Sequence, residues 1–304
     1  MNGYLKYMFY NKSLSFILTK RGIDLLKKAA VFYFSGTGNS WWVSETLAGA
    51  LNEKGISASA YSIEKITFSE ADRIINECDL IGFGYPTHGS DLPFIVKKFF
   101  QNLSAVKNKK TFIFCTQWLW SGDGARVGEE YLKGKNFNIL WAEHFHMPSN
   151  VCVSVTWFLP YTNDKKRISK TLVKTEKRIK GFIDKIINER TYRRGFNKVS
   201  RFLGGLQRVP FRYFFERLRN DIYFEKSLCI QCGECARLCP SKNLEFHGTE
   251  LKTKGTCILC IRCYAFCPVS AITYMNKPHN PERGEPYKGP VAEFSPEFLV
   301  TKNQ

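Results

Sequence analysis

Along the first half of the chain, short unbroken apolar runs alternate with longer stretches in which apolar residues return every three or four positions. The run AAVFYF at 29–34 has the continuity of a strand buried on both faces. In the following SWWVSETLAGALNEKG, Trp42, Leu47, Ala50 and Leu51 recur at helical spacing until Gly55 ends the period. ISASAY, DLIGFGY (79–85) and KTFIFCT (110–116) read as the second to fourth strands, and ILWAEHFHM from Ile139 as a fifth. Helical segments near 69–77, 92–102 and 124–133 separate them. Strands interleaved with helices predict parallel pairing and right-handed crossovers, so the expected class is α/β, a three-layer sandwich around a five-stranded parallel sheet. Ligands of such sheets bind beyond the carboxyl ends of the strands, which directs attention to the loops after strands one, three and four.

Farther along, Ile168, Leu172, Ile179, Ile183 and Ile186 keep helical spacing and predict the last helix of the sandwich, with one face on the sheet. The next stretch, GFNKVSRFLGGLQRVPFRYFFERLRND, mixes arginines with aromatics around a Gly-Gly break and Pro210. The tail NKPHNPERGEPYKGPVAEFSPEF is rich in Pro and Gly and should lack regular structure, either draped over the preceding lobe or mobile. These shifts divide the chain into an N-terminal extension (1–28), the α/β domain (29–190), a basic helical connector (191–221), a cysteine-rich domain (222–275) and the tail (276–304).

Charge changes the picture next. With 45 Lys or Arg against 27 Asp or Glu, the 304 residues carry a formal +18, and residues 162–226 alone hold 19 of the former against seven of the latter. Such an excess calls for an acidic protein partner, an anionic membrane or a nucleic acid. No recognised nucleic-acid motif accompanies it, which places nucleic acid last. Peripheral membrane contact is not favoured, and packing one domain on the other is the plain role of the connector. No apolar run reaches the roughly 18–20 residues that span a bilayer, and SLSFILTK is short and lacks a small-residue cleavage site. A cytoplasmic location is expected.

The loop after the first strand is SGTGNS. Ser35, Thr37 and Ser40 offer hydroxyls, while Gly36 and Gly38 let the backbone curl so that several N–H groups converge at a helix N-terminus. Such a nest suits a phosphate dianion. A dinucleotide fingerprint would need a third glycine where Trp41 stands, and a triphosphate loop would need Gly-Lys-Ser/Thr. With these residues the chain resembles flavodoxin-like proteins, whose FMN phosphate loop FSGTGNS is similar to. The resemblance implies that Ser35, Gly36, Thr37, Gly38, Asn39 and Ser40 bind the FMN phosphate. It places Tyr85, Pro86, Thr87, His88 and Gly89 on one side of the flavin, within GYPTHGSDLP. It places Thr116, Gln117, Trp118, Gly122, Asp123, Gly124 and Ala125 on the other, within TQWLWSGDGA. Tyr85, Trp118 and Trp120 are the aromatics available to flank the ring. His88 is the candidate catalytic residue, able to donate to a substrate or a flavin oxygen, or simply to bond the backbone. His144 and His146 share one face of a strand and read as core or surface groups, and Cys78, Cys115 and Cys152 as ordinary buried thiols.

Eight of the eleven cysteines fall into two runs of the form C-x2-C-x2-C-x3-C-P, ending at Cys239-Pro240 and Cys267-Pro268. This spacing favours metal over disulfides and is that of bacterial two-cluster ferredoxins, in which the fourth cysteine of each run serves the other cluster. Cys229, Cys232, Cys235 and Cys267 are then assigned to one 4Fe-4S cluster, and Cys257, Cys260, Cys263 and Cys239 to the second. Taken whole, the chain resembles flavodoxin/ferredoxin fusion proteins. That resemblance implies electron transfer between two 4Fe-4S clusters and FMN, to or from an acidic redox partner such as a ferredoxin or flavoprotein. The alternative is an FMN-dependent reductase of a small-molecule substrate fed by its own ferredoxin domain, with His88, Gln117, Trp118 and Trp120 lining the pocket.

Overall fold

The computed structural model describes residues 26–159, 161, 163–248 and 250–301. The extension assigned to 1–28 lies outside the described residues up to position 25, as do the last three positions of the tail.

All five expected strands form: β1 (Lys28–Tyr33), β2 (Ser57–Ser62), β3 (Leu80–Pro86), β4 (Lys109–Gln117) and β5 (Phe137–His146). They pair in parallel in the order β2-β1-β3-β4-β5, and a sixth strand, β6 (Tyr192–Arg193), adds beside β5. Two residues carry no period, so the sequence held no sign of β6. This order is that of the flavodoxin-like doubly wound sheet, whose topological switch lies between β1 and β3.

Both faces of the sheet are covered. Phe32, Phe83, Phe99, Phe100 and Ile113 pack beneath α2 (Phe68–Glu77), α3 (Phe94–Asn102) and α4 (Gly124–Leu132). Val31, Leu47, Phe112, Phe114, Trp141 and Ile183 pack on the opposite side beneath α1 (Asn39–Glu53) and α5 (Lys165–Ile187). Neighbours along β1 point to opposite faces, as the two-residue period of a strand requires. That is why its apolar run is unbroken. Within α5, Ile179, Ile183 and Ile186 meet the sheet as the spacing predicts, whereas Ile168 packs on the core of the second lobe.

The connector holds a single helix, α6 (Lys198–Leu218), which runs through Gly204, Gly205 and Pro210 without a break. Asn197 caps it by accepting from the Ser200 N–H at 2.7 Å. Beyond it, β7 (Ile222–Phe224) pairs antiparallel with β10 (Ile272–Tyr274), and β8 (Leu244–His247) with β9 (Glu250–Thr253). Each cysteine run enters a one-turn helix, α7 (Glu234–Arg237) or α8 (Arg262–Phe266). Ile222, Leu244, Tyr264, Ile272 and Tyr274 fill this small core around Cys257 and Cys263.

The tail is irregular apart from two 3-10 turns, as its composition predicts, and it is packed down. Phe294, Leu299 and Val300 are buried against Tyr33 of the first lobe and Leu238 of the second. The Tyr287 hydroxyl reaches Asn39 at 2.6 Å, and Arg237 pairs with Glu297. It therefore drapes across both lobes. Among the described residues no helix is long and apolar enough to cross a membrane.

Candidate functional site

The loop between β1 and α1 forms a cradle. Gly38, at φ 99, occupies the left-handed region that glycine adopts at little cost, and this turn aims the start of α1 back over the loop. The Ser35 hydroxyl accepts from the Gly38 N–H at 3.1 Å, and the Ser40 and Thr116 hydroxyls lie 2.7 Å apart. Asn150 donates to the Thr37 hydroxyl at 2.8 Å. The backbone N–H groups of Gly36, Thr37, Asn39 and Ser40 find no hydrogen-bond partner among the described residues. Buried N–H groups left together at a helix N-terminus are what a phosphate satisfies.

The cradle opens into a cavity of about 300 Å³. Of the residues predicted around it, Ser35, Gly36, Thr37, Asn39, Ser40, Pro86, Thr87, His88, Gly89, Thr116, Gln117 and Trp118 line the wall. Gly38 shapes the loop but faces Pro290 and Phe294 of the tail instead.

Several expectations are corrected. Tyr85 is fully buried in the core with its hydroxyl donating to the Gly124 carbonyl at 3.1 Å, so it cannot flank a ring in the cavity. It lies two residues from Phe83 on β3 and therefore shares that core-facing side, and Gly128 of α4 leaves the room its hydroxyl needs. Gly122, Asp123, Gly124 and Ala125 also fail to reach the cavity wall. Asp123 is completely buried and holds Arg126 and Arg208 at 2.6 and 2.8 Å, because α6 lies over this turn. A Cβ on Gly204 of α6 would sit 1.9 Å from the Asp123 carboxylate, so only glycine permits that approach. Trp120 is 41% exposed and outside the lining.

His88 stands between this cavity and a larger neighbouring one, and lines both. Burial pushes its pKa down to about 4 against the opposing charge of Asp91, so the ring is neutral near pH 7. Its Nδ1 is buried without a partner among the described residues. His144 also lies buried, with its Nδ1 2.8 Å from the Ser121 hydroxyl, while His146 is exposed at the strand end. Cys78, Cys115 and Cys152 are buried, as expected.

The remaining wall is where sequence reading fell short. Phe211 and Leu218 come from α6, and Leu259, Cys260, Ile261 and Tyr274 come from the cysteine-rich lobe. No local pattern points to them, since they reach the cavity only through docking of one lobe on the other. The docking is close: a Cβ on Gly36 would meet the Cys260 carbonyl at 2.7 Å.

The thiols of the two runs lie close enough to feel one another's charge. Burial foremost, and then the charges of Cys267, Cys229 and Cys232, push the Cys235 thiol up to about 12, although the Ala236 N–H opposes them. Burial and then Cys260, Cys257 and Cys239 push Cys263 well above the ordinary range. Each fourth cysteine is thus within electrostatic reach of the other run, while among the described residues no three such side chains converge into a group that could hold a metal ion. The turns that gather them match: Gln231 and Leu259, at φ 56 and 52, precede the second cysteine of each run, and Gly233 and Ile261, at 76 and 52, follow it. Backbone N–H groups donate to sulfur from Asn243 to Cys239 at 3.2 Å, from Leu259 to Cys257 at 3.3 Å and from Ala271 to Cys267 at 3.2 Å. Thiolates so bonded fit iron-sulfur ligation, with Cys257, Cys260 and Cys263 buried, Cys232 exposed and the other four between. Burial pushes the Cys235, Cys257, Cys260 and Cys263 thiols up, so ligation of a metal there would release their protons.

Arg262, two residues past Cys260, joins the lobes. Its fully buried guanidinium donates to the Ser35 and Gly36 carbonyls at 2.7 and 3.1 Å, to Leu238 at 2.9 Å, and to both oxygens of Glu64 at 2.7 and 2.9 Å. Burial alone would push the Glu64 carboxyl up, and Arg262 opposes that by charge and hydrogen bonding. No sequence motif marked this residue.

Residues 221–268 match the family of 4Fe-4S dicluster domains. The fold is similar to a flavodoxin from the domain Archaea, at 18% identity over 52% of this chain and 98% of that one, with a TM-score of 0.37. It is also similar to the two-electron reduced flavodoxin of Megasphaera elsdenii, at 23% identity over 40% of this chain and 90% of that one, TM-score 0.35. Against rubredoxin oxygen:oxidoreductase from Desulfovibrio gigas the identity is 18%, covering 51% of this chain but only 37% of that one, TM-score 0.35. No curated protein matches the chain in sequence.

Proposed function

We propose, from a flavodoxin-like sheet fused to a 4Fe-4S dicluster domain, that this chain is an electron-transfer flavo-iron-sulfur protein linking two 4Fe-4S clusters and FMN to an external redox partner. A cubane exchanges one electron at a time and FMN holds one or two, so the pair of cofactors would interconvert single- and two-electron chemistry. Cys229, Cys232, Cys235 and Cys267 would hold one cluster; Cys257, Cys260, Cys263 and Cys239 the other. The loop from Ser35 to Ser40 would hold the FMN phosphate, with Pro86, Thr87, Gly89 and Trp118 beside the ring.

The observation that carries this reading is Cys260. It belongs to the second cysteine run and yet lines the cavity into which the phosphate cradle opens. The two cofactor sites are therefore adjacent, with no intervening layer of protein. The first run is placed differently: Cys232 is exposed, as are Leu228 and Ile230 at 48% and 61%. The protein thus offers an outer port at the first run and an inner contact at the second. Arg262 keeps a cation beside the Cys260 and Cys239 thiols, where bound clusters would add negative charge.

Anaerobic purification with iron, sulfide and flavin quantified tests the reading. About eight iron and eight sulfide per chain are expected, with about one FMN. Iron near zero after reconstitution, or a chain that retains no flavin with full iron, would overturn it.

A further inference from the structure

We infer that the larger cavity beside the flavin-type site binds an amphipathic organic acid, an apolar body carrying one carboxylate or similar anionic group. The cavity holds about 860 Å³, within the range of small-molecule sites, and lies where α3, α6 and the cysteine-rich lobe meet. Its floor is apolar. Leu92, Phe99 and Ile258 are nearly inaccessible there, and Ile95, Phe211 and Phe215 form the walls.

The rim is basic. Lys97, Lys98, Arg212, Arg219 and Lys242 line it against only Asp91 and Glu216. Asp91 is already shared by Lys97 at 2.9 Å and Arg212 at 3.0 Å. Lys98 and Lys242 make no ion pair among the described residues. Arg219 bonds Glu216 at 3.3 Å and the Gly255 carbonyl, but its Nε is buried with no partner among the described residues. The Nε itself is shut off from the cavity, so the charge open to a ligand is that of Lys98, Lys242 and Arg219 along the rim, and an acid group is the ligand chemistry that answers it while an alkyl or aryl body takes up the apolar floor. A neutral apolar molecule would leave the rim charges unanswered. A polyphosphate would leave the floor wet.

The placement gives such a ligand consequence. Cys257 and His88 both line this cavity, so the bound acid would touch a cysteine of the second run and the side chain that divides the two cavities. This inference needs no flavin, and binding is measured without turnover. It therefore stands or falls separately from the electron-transfer reading.

The test is calorimetric titration of the anaerobic holoprotein with octanoate, and with 1-octanol as its neutral counterpart. Octanoate should bind saturably at one site and about tenfold or more tighter than octanol, the margin expected of a charge-assisted hydrogen bond. Arg219→Gln should abolish that preference while leaving octanol binding unchanged. Ile95→Trp, which fills the cavity, should weaken both probes. Lys242→Gln, altering only the solvent-facing rim, should reduce the preference without any buried change, so the comparison survives if Ile95→Trp fails to fold. Phe202→Ser, on the exposed side of α6, should change neither. Equal affinity of the two probes for the parent protein would overturn the inference, as would an octanoate response lost in Phe202→Ser but kept in Ile95→Trp.

Discussion

Arg262 ties three distant stretches of chain together through one planar group, and its value can be measured. Removing a buried cation leaves Glu64 desolvated and unpaired, a situation that costs about 3–5 kcal/mol. Arg262→Met should therefore lower the free energy of unfolding, measured by anaerobic denaturant titration, by that margin, and adding Glu64→Met should restore most of it. A single variant within about 1 kcal/mol of the parent would show that the interface holds without the pair. His88 makes a second case. Its folded pKa, about 4, lies below the ordinary 6.5 because burial disfavours the charged ring. Between those values the unfolded chain takes up a proton that the folded one refuses, so stability is lost as pH falls from about 6.5 toward about 4. In His88→Gln the slope of stability against pH in that window should shrink by up to about 1.4 kcal/mol per pH unit. An unchanged slope in urea titrations at pH 6.0, 5.3 and 4.6 would show the ring to be protonated in the fold.

At the scale of elements, α6 separates what sequence could tell from what it could not. The five strands and α1 were legible because each buries the face its apolar period marks. In α6 the apolar positions mark the wrong face: Val199, Phe202, Leu206, Val209 and Tyr213 are 65–74% exposed, while Gly204 is its one buried residue. A Gly-Gly pair and an internal proline read as a break, yet Arg208 and Arg212 anchor the helix to Asp123 and Asp91 on the sheet loops. Those tertiary contacts outweigh propensity. The same covering explains the site. The glycine turn after β1 and the cysteine spacing are local and stand in the sequence itself, whereas the retreat of Gly122, Asp123, Gly124 and Ala125 depends on α6 lying above them. Tyr85 could have been placed from its position alone, since residues two apart on a strand share a face and it lies two past Phe83. The two glycines give opposite expectations. Gly205 has open space around a would-be Cβ, so Gly205→Ala should stabilise by about 0.5–1 kcal/mol. Gly204→Ala must push α6 off Asp123 and should destabilise, visible as an earlier loss of helical signal on heating. A stabilised Gly204→Ala would mean that the helix is not seated on the turn.

For the whole molecule, charge and burial together say where the proposed partner would dock. Under the proposed reading the +18 chain should attract an acidic ferredoxin from a distance, and the outer cysteine run would be the point of contact. Steered association slows as salt screens it, because the Debye length shrinks from about 30 Å at 0.01 M to about 8 Å at 0.15 M. Anaerobic stopped-flow reduction by an acidic ferredoxin should accordingly slow by about tenfold or more across that range, while reduction by dithionite should respond far less. Ile230→Asp sharpens the test, since it places like charge on an exposed apolar residue one step from Cys229. It should reduce the rate with the ferredoxin and leave both the dithionite rate and the iron content unchanged. If instead the ferredoxin rate were indifferent to salt and to Ile230→Asp, the port would lie elsewhere. The exposed face of α6, with its aromatics and flanking arginines, would then be the surface that receives the partner.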